Sequence, residues 1–351
     1  MLASLPIAAV LAGIGTLAYW TVPKGPVALQ GEPLIAYDPE IGFVPYPNTI
    51  TRRTDFNPSG QQVVSYRIFN DRLGARVTQP GESAPAHPDI LFIGDSFTWG
   101  HGVENEYTFA HLVPLALGVT GANISMGSYG TTQPLQILRR NLDLAPRLVI
   151  YSFINDHLAR NVLPCARSYY PFCLDISHVV WDADGSARIA PPWSDGTTRT
   201  QLQSKMDHAW VDPLTWIVHG VDVAYGRVLW AMARKTLTDT AKQKRALEFL
   251  LDEMAKTTRA IGASLLFVYL PHSDSLPDVL VNSASKLGVP LLDMSPAYQA
   301  YQATPGASPL AIPGDGHPSI AAHALIASKI ASFIRREGLL AQPSGASARL
   351  P

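Results

Sequence analysis

The chain has 351 residues, of which 47% are hydrophobic and 16% are charged, and its formal net charge is −1. This length is enough for one large domain or two ordinary ones with a sizeable buried core. The near-zero charge gives no support for bulk electrostatic binding of nucleic acid or of an anionic membrane, while the low charged fraction and the 29 prolines exclude a charge-rich coiled coil.

Residues 1–24 are predicted to be a transmembrane anchor or a signal segment. Residues 2–22 contain no charged side chain, and a helix of this length spans a bilayer core of about 30 Å. Tyr19 and Trp20 stand at the end of the run and Lys24 follows, which is typical of a membrane interface. A cleaved signal peptide stays open, although no basic residue precedes the run. A buried core helix is the third alternative, and the unbroken apolar run disfavours it.

The segment 27–88 is predicted to form an N-terminal extension that packs on the core. The stretches LIAYDPEIGFVPYPN and VVSYRIFNDRLGARV have the composition of short strands joined by turns. Because they precede the first strand of the main domain, we expect them to shape its cleft.

Residues 89–340 alternate between strand-like and helix-like patterns. The predicted strands are Ile90–Ile93, 122–126, Leu148–Phe153, 264–270 and 290–293. The predicted helices are 107–117, 134–144, 238–260, a helix that contains 283–287, and 319–336. Strands alternating with helices imply a parallel sheet covered on both faces, with active groups at the carboxyl ends of the strands. Residues 341–351 are predicted to be a flexible tail.

A stretch without clear periodicity, from about 157 to 236, is predicted to be a lid-like insertion in this domain. Loops after strand ends usually carry recognition, so we expect it to set substrate specificity. Its tryptophans could form a small core of their own, stack on sugars or cover an acyl chain; they are Trp181, Trp193, Trp210, Trp216 and Trp230.

The two cysteines of the chain, Cys165 and Cys173, both lie in this insertion. A pair this close can form a short disulfide ring in an oxidising compartment, which an export-like N-terminus would supply. The alternative is a pair of unrelated reduced thiols. The spacing lacks the further ligands of a zinc site, and we find no ligand cluster in the sequence that indicates a metal.

Polar residues suited to acyl transfer follow the predicted strand ends. Ser96 lies in ILFIGDSFTWG just past the first strand, and Asn155 lies in SFINDH just past the third. Asp315 and His317 lie in PGDGHPS, just before the last helix. A nucleophilic hydroxyl needs a base, the base needs an orienting carboxylate, and the oxyanion needs preorganised donors. Each motif alone could be a helix cap or a turn, but the ordered set indicates a catalytic site.

The ordered blocks GDSFTWG, NISMGSYG, FIND and DGHPS resemble those of the SGNH/GDSL hydrolase family, over residues 94–319. The resemblance implies a three-layer α/β/α, flavodoxin-like fold with a parallel sheet, and it implies no metal or other cofactor. The segment 27–88 is similar to the N-terminal extension of bacterial membrane-linked members of the family.

The same resemblance assigns roles to residues of this chain. Ser96 matches the nucleophile, and its own amide would be the first oxyanion donor. Asn155 matches a side-chain oxyanion donor. His317 matches the general base, and Asp315 matches the acid that orients the base.

Two departures from the family pattern leave two assignments open, the second oxyanion donor and the acid. Many relatives have a glycine five residues after the asparagine of the second block, whereas here that position, counted from Asn123, is Ser128. The donor is a backbone N–H, so either Gly127 or Ser128 could face the oxyanion. The final block is Asp-x-His rather than Asp-x-x-His, which makes Asp293, at the end of the last strand, the alternative to Asp315.

The sequence predicts a serine esterase that removes an acetyl or other short acyl group from a carbohydrate or small ester outside the cytoplasm. The expected partners are this acyl ester and, through the N-terminal segment, a membrane. An O-acyltransferase acting on an envelope polysaccharide is the alternative, since an alcohol can resolve the same acyl-enzyme. A non-catalytic carbohydrate-binding relative is a further alternative, which the intact Ser96, Asn155 and His317 disfavour.

Overall fold

The computed structural model describes residues 27–57, 60–166, 174–192, 239–272 and 275–340. The predicted anchor or signal segment, Cys173, four of the five tryptophans of the insertion and the predicted tail lie outside these residues. Within the described ranges, no helix combines the length and the apolar character that crossing a membrane requires. The N-terminal anchor stays a prediction.

Residues 27–77 contain six short strands that make two small antiparallel sheets. They are β1 (Val27–Gly31), β2 (Ile35–Asp38), β3 (Gly42–Pro45), β4 (Ile50–Phe56), β5 (Gln62–Asn70) and β6 (Arg76–Val77). One sheet has the order β1-β4-β5-β6, and β2 pairs with β3 in a hairpin. In β4 the buried residues are Thr51, Arg53 and Asp55, while Ile50 is exposed. This strand therefore turns charged side chains toward the interior.

Nine further strands occur in the described part of the chain. They are β7 (Ile90–Ile93), β8 (Gly121–Asn123), β9 (Leu148–Phe153), β10 (Cys165–Ala166), β11 (Leu174–Asp175), β12 (His178–Trp181), β13 (Ala187–Ala190), β14 (Ser264–Tyr269) and β15 (Leu291–Asp293). Five of them form a parallel sheet in the order β15-β14-β9-β7-β8. Numbered along the chain, this is the order 2-1-3-4-5 of flavodoxin-like folds. The predicted fold class is confirmed.

Eight α-helices lie in the same described ranges. They are α1 (Ser96–Trp99), α2 (Phe109–Leu117), α3 (Thr132–Arg140), α4 (Asp156–Arg160), α5 (Thr240–Ala260), α6 (Asp278–Leu287), α7 (Ser295–Gln302) and α8 (Ile320–Glu337). Side-chain oxygens of Thr108, Asp239 and Ser319 accept a first-turn N–H of α2, α5 and α8, respectively. These caps satisfy backbone donors that a helix leaves without an internal partner.

Side chains along the central strands alternate between two hydrophobic clusters, one on each face of the sheet. Tyr151 of β9 shares one cluster with Leu250 of α5 and with Phe43 of β3. Its neighbour Ile150 shares the other cluster with Ile330 of α8. Helices therefore cover both faces and complete three layers, and the N-terminal extension adds to the face that α5 covers.

The structure differs from the predicted elements mainly in short segments. The strand predicted at 122–126 shortens to β8, and the helix predicted at 134–144 divides into α3 and a 3-10 turn at Leu142–Leu144. The sequence did not predict α1, α4 and α7. These helices have four, five and eight residues, too few to show a periodic apolar stripe.

The described end of the insertion, residues 174–192, contacts the N-terminal extension. The Ser177 N–H donates to the Ile41 carbonyl at 3.1 Å. A Cβ at Gly42 would lie 2.1 Å from the Asp175 carbonyl oxygen, so only glycine permits this close approach. Residues 174–192 therefore pack against the N-terminal extension as part of the folded domain. A role as a lid stays a prediction for 193–236, which lie outside the described residues.

Candidate active site

Ser96 begins α1 directly after β7, at the point where the order of the sheet strands reverses. The carboxyl ends of strands at such a point open into a crevice, the usual place for ligands. The turn requires Gly94, because a Cβ there would lie 2.1 Å from Thr98 Oγ1. Asp95 caps α1 by accepting the Phe97 N–H at 3.0 Å. Ser96 is thereby held in the first turn, where backbone N–H groups have no partner within the helix.

His317 joins Ser96 to Asp315. Its Nε2 lies 2.9 Å from Ser96 Oγ, and its Nδ1 lies 2.7 Å from Asp315 Oδ1. A carboxylate can only accept, so Nδ1 carries the proton and Nε2 is left to accept the serine O–H. The structure thus brings together three of the predicted residues in the order of a serine–histidine–aspartate triad.

The short Asp-x-His spacing is accommodated by a tight turn. Asp315 Oδ1 also accepts the His317 backbone N–H at 3.1 Å, a local bond typical of aspartate in turns. Gly316, between them, has a φ of 93°, and the Ile312 N–H donates to the His317 carbonyl at 2.8 Å. The spacing that departs from the family pattern is therefore compatible with contact between acid and base.

Asp293, the alternative acid, lies at the end of β15 and has a different contact. Its Oδ1 accepts the Ser295 N–H at 2.8 Å, at the start of α7. The carboxylate that contacts His317 is that of Asp315.

Burial and hydrogen bonding set the charges of the triad. Burial acts to raise the pKa of Asp315, but hydrogen bonding from His101 and His317 outweighs it and holds the pKa well below its ordinary value. Burial lowers the pKa of His317, and His101 lowers it further, against the opposite effect of Asp315. At neutral pH Asp315 is therefore ionised, and His317 is neutral and able to accept a proton.

The predicted oxyanion donors lie past the carboxyl ends of β8 and β9. Gly127 lies against the nucleophile, since a Cβ built there would be 3.8 Å from Ser96 Cβ. Ser128 has a φ of 64°, a left-handed backbone that is uncommon outside glycine. The Asn155 Nδ2 donates to the Ser275 carbonyl at 2.9 Å, and an amide nitrogen has a second hydrogen to offer. The role of these groups as oxyanion donors stays a prediction.

A buried charged group lies beneath the nucleophile turn. The Asp95 carboxylate lies 3.3 Å from His157 Nε2 and accepts Arg160 Nη1 at 3.2 Å. Tyr151 Oη lies 2.7 Å from His157 Nδ1. Burial acts to raise the pKa of Asp95, but the contacts with His157 and Arg160 outweigh it and lower the pKa. The sequence did not predict this use of Arg160, because nothing in a short helix marks a buried ion pair.

His101, Asp55 and Arg53 are further site residues that the sequence did not predict. His101 Nε2 lies 3.0 Å from Asp55 Oδ2 and 3.4 Å from Asp315 Oδ2, and its ring centroid lies 4.0 Å from that of His317. Asp55 accepts Arg53 Nε at 2.9 Å. The sequence signal that could have indicated Arg53 and Asp55 is the stretch ITRRTDF, in which these residues, two apart in a strand, lie on the same face.

One cluster in the described part of the chain could offer ligand atoms to a metal ion. His101, Asp315 and His317 each have such an atom, all within 4.8 Å of one another. The same His317 and Asp315 atoms form the contacts with Ser96 and with each other. These atoms are therefore already used in the contacts of the triad.

The predicted disulfide falls partly outside the described residues. Cys165 is buried in β10, opposite Asp175 of β11. Cys173 lies outside the described ranges. The Cys165–Cys173 bond therefore stays a prediction.

The fold and the site together define a class of protein. A flavodoxin-like parallel sheet with a serine, a histidine and an aspartate joined at its switch point has the arrangement of a serine hydrolase of the three-layer α/β/α class.

Comparisons with known proteins give matches among solved structures. No family model and no curated protein matches the chain. The chain is similar to the lipase/acylhydrolase from Enterococcus faecalis, with 14% identity, a TM-score of 0.36, and coverage of 71% of this chain and 95% of that one. It is also similar to a lipolytic protein of the G-D-S-L family from Desulfitobacterium hafniense DCB-2. The identity is 10% and the TM-score 0.37, with 69% of this chain and 97% of that one covered.

A third similar structure is a carbohydrate esterase family 2 enzyme with a carbohydrate binding domain from Corynascus thermopiles. The identity is 13% and the TM-score 0.39, with 89% of this chain and 91% of that one covered. Of these three structures, one is described as a lipolytic protein of the G-D-S-L family, one as a lipase/acylhydrolase and one as a carbohydrate esterase. The similarity concerns the fold, and the function of this chain rests on its own residues.

Proposed function

We propose that the protein is a serine esterase of the SGNH/GDSL type, which hydrolyses a short-chain acyl ester through an acyl-enzyme. The observation that carries the proposal is the pair of contacts at His317, 2.9 Å from Nε2 to Ser96 Oγ and 2.7 Å from Nδ1 to Asp315 Oδ1. A nucleophile, a base and an orienting acid within hydrogen-bond reach are the geometric requirement for this chemistry.

In the acylation step, Ser96 Oγ attacks the ester carbonyl carbon while its proton passes to His317 Nε2. The carbonyl oxygen becomes an oxyanion, for which the amides of Ser96 and Gly127 or Ser128 and the Asn155 side chain are the proposed donors. The bond to the alcohol then breaks, and the His317 imidazolium gives its proton to the leaving alkoxide. Asp315 stabilises that imidazolium and holds its tautomer.

In the deacylation step, water replaces the alcohol. His317 Nε2 takes a proton from the water as its oxygen attacks the acyl carbon on Ser96. Collapse of the second tetrahedral intermediate breaks the bond to Oγ, and the imidazolium returns a proton to Ser96. The products are the free acid and the starting enzyme.

We extend the proposal to an acetyl or other short acyl group on a carbohydrate or small ester. The support is the crowding around the base: the ring of Phe97 lies 5.3 Å and that of His101 4.0 Å from the His317 ring. Two rings this close to the imidazole limit the space around it, which favours a small acyl group beside Ser96. The tryptophans of the insertion are candidates for contact with a sugar.

The test uses the full chain purified in detergent. Hydrolysis of 4-nitrophenyl esters from acetate to decanoate, and of acetylated oligosaccharides, would be measured for the wild type and for Ser96→Ala. We expect the acetate and other short esters to react fastest, and a fluorophosphonate probe to label Ser96 in the wild type. Absence of both turnover and labelling would reject the proposed function.

A second arm of the experiment adds an acceptor glycan. Free acid as the main product supports hydrolysis, since water then resolves the acyl-enzyme. Acyl groups recovered on the glycan would instead assign the protein as an O-acyltransferase that uses the same residues.

We also propose that the protein works outside the cytoplasm, attached to a membrane through residues 1–24. The support is the uncharged run 2–22 and the close cysteine pair, both properties of the sequence. Cell fractionation and the intact mass of the mature protein test this placement. A full-length mass in the membrane fraction indicates an anchor, a shortened N-terminus in the soluble extracytoplasmic fraction indicates a signal peptide, and recovery in the cytoplasm rejects the placement.

A further inference from the structure

The carboxylate of Asp315 is contacted from two sides. Its Oδ1 lies 2.7 Å from His317 Nδ1, and its Oδ2 lies 3.4 Å from His101 Nε2. Gly314 and Gly316 flank Asp315 with φ values of 79° and 93°. Within the turn, Oδ1 also accepts the His317 backbone N–H at 3.1 Å. The contact at Oδ2 comes from outside the turn, and His101 makes it.

His101 is itself oriented by the N-terminal extension. Its Nε2 lies 3.0 Å from Asp55 Oδ2 in β4, and its Nδ1 lies 3.3 Å from Tyr66 Oη in β5. Asp55 is held in turn by Arg53, whose Nε donates to it at 2.9 Å. Residues outside the parallel sheet therefore reach the acid of the triad through one imidazole.

The backbone that carries His101 is also held from the extension. The buried guanidinium of Arg76 in β6 donates to the carbonyl of Trp99 at 2.7 Å and to the carbonyls of Gly100 and Val103. Burial lowers the pKa of Arg76 to about 10, so it stays charged at neutral pH. Both the ring and the main chain of His101 are thus fixed.

Buried charged groups of this kind contribute little net stability to a fold. Asp55 and Arg53 are both less than a tenth exposed. Replacing buried ion pairs by apolar residues of similar volume often stabilises a protein, because charged groups lose their hydration when buried. The cluster around His101 is therefore better explained by what it does to Asp315 than by what it adds to stability.

We propose that His101 is a positioning residue of the active site, which holds the Asp315 carboxylate in the orientation that His317 needs, and that Asp55 orients His101. The inference rests on the proposed function of Ser96 and His317. A carboxylate contacted at both oxygens reorganises less when the imidazolium forms, and this is the proposed source of the effect on rate. The N-terminal extension then acts as part of the active site.

A matched pair of variants, His101→Gln and His101→Asn, tests the inference in the full chain. Glutamine can place its amide nitrogen near the position of Nε2, within reach of Asp55 and Asp315, whereas asparagine reaches only the position of Nδ1, near Tyr66. We expect His101→Asn to lose about tenfold to a hundredfold in kcat with little change in KM, since small misplacements of catalytic groups cost this much. His101→Gln should keep most of kcat.

Titration of His317 by nuclear magnetic resonance gives a readout that does not need ester turnover. Ser96, Asp315 and His101 face the His317 ring, and the charge of Asp95 acts on it from a greater distance. When residue 101 no longer offers a hydrogen-bond donor to Asp315, the Asp315 carboxylate interacts more strongly with the protonated His317 ring. The pKa of His317 should therefore rise in His101→Asn, and rise less in His101→Gln.

His178→Asn is the control for loss of a buried imidazole elsewhere. His178 is buried in β12, with its Nδ1 3.2 Å from the Ile176 carbonyl, and its loss should leave the His317 titration unchanged. Equal kcat in the two His101 variants together with an unshifted His317 pKa would overturn the inference. So would a loss of kcat in both variants that follows the fall in melting temperature. If the wild type neither turns over esters nor labels at Ser96, the proposed function fails, and the His317 titration still decides the role of His101.

Discussion

Asp315 and His317 are connected through both main chain and side chain across a single glycine. One carboxylate oxygen of Asp315 accepts the His317 backbone N–H at 3.1 Å and lies 2.7 Å from Nδ1 of its ring. The acid and the base are thus held in one turn, and the nucleophile approaches from another element, α1. Substitutions of the nucleophile in α1 can therefore be tested separately from substitutions of the acid and the base in the turn.

Replacement of Ser96 by alanine should abolish ester hydrolysis and leave the fold intact. The hydroxyl lies 2.9 Å from His317 Nε2, and its loss removes the nucleophile with little change in packing. Loss of one triad member typically costs several powers of ten in rate. Steady-state kinetics measures the loss of hydrolysis, and the melting temperature checks that the fold is intact. Wild-type turnover in the alanine variant would show that Ser96 is not the nucleophile.

Replacement of Asp315 by asparagine should lower kcat by more than about tenfold, but less than His317→Ala does. Asparagine keeps the volume and an oxygen acceptor but stabilises the imidazolium less. The matched control is Asp293→Asn, which should stay close to wild type because Asp293 contacts the Ser295 N–H at the start of α7 rather than His317. The opposite ranking of the two aspartates would move the acid role to Asp293.

The pH profile of kcat/KM should rise as His317 loses its proton, with a midpoint below the ordinary histidine pKa of 6.5. Burial, followed by His101, lowers the pKa of His317, and Asp315 partly opposes them. Removing the carboxylate in Asp315→Asn should shift the midpoint to still lower pH. A midpoint above about 7 in the wild type would contradict the burial of this base.

The buried His323 should make the fold sensitive to acid. Burial lowers its pKa from 6.5 to about 3 in the folded chain, so the unfolded chain binds more protons below pH 6.5. Its contribution to stability is complete above pH 6.5 and decreases as the pH falls toward 3, reaching a loss of about 2 kcal/mol at pH 5.

Urea unfolding at pH 7 and at pH 5 measures this loss of stability. His323→Asn is the comparison, since asparagine can still accept the Phe109 N–H that His323 Nδ1 accepts at 3.2 Å but does not titrate. The variant should lose less stability between the two pH values than the wild type. Equal losses would assign the acid sensitivity to other groups.

Cys165 and Cys173 should form an intramolecular disulfide when the protein matures in an oxidising compartment. Closing so short a loop should stabilise the fold by roughly 2–3 kcal/mol. Mass spectrometry of thiol-blocked, non-reduced protein is the measurement. Recovery of both cysteines as blocked thiols would reject the bond.

The sequence by itself determined the parallel sheet and the edge at which the site lies. Ile90–Ile93 and Leu148–Phe153 are found with the predicted bounds, because strands buried on both faces are continuous apolar runs that can be recognised locally. Ser96, Asn155 and His317 could be placed at one edge for the same reason, since each follows a strand or precedes a helix with a clear apolar pattern.

Only the tertiary structure decided which groups meet at that edge. Asp315 rather than Asp293 contacts His317, because a turn with a glycine at positive φ brings the carboxylate back to the ring. His101, in the turn after α1, meets Asp55 of β4, and no local pattern records a contact between residues so far apart in the chain. A pairing of this kind depends on how elements pack, whereas a strand or a helix depends on the order of its own residues.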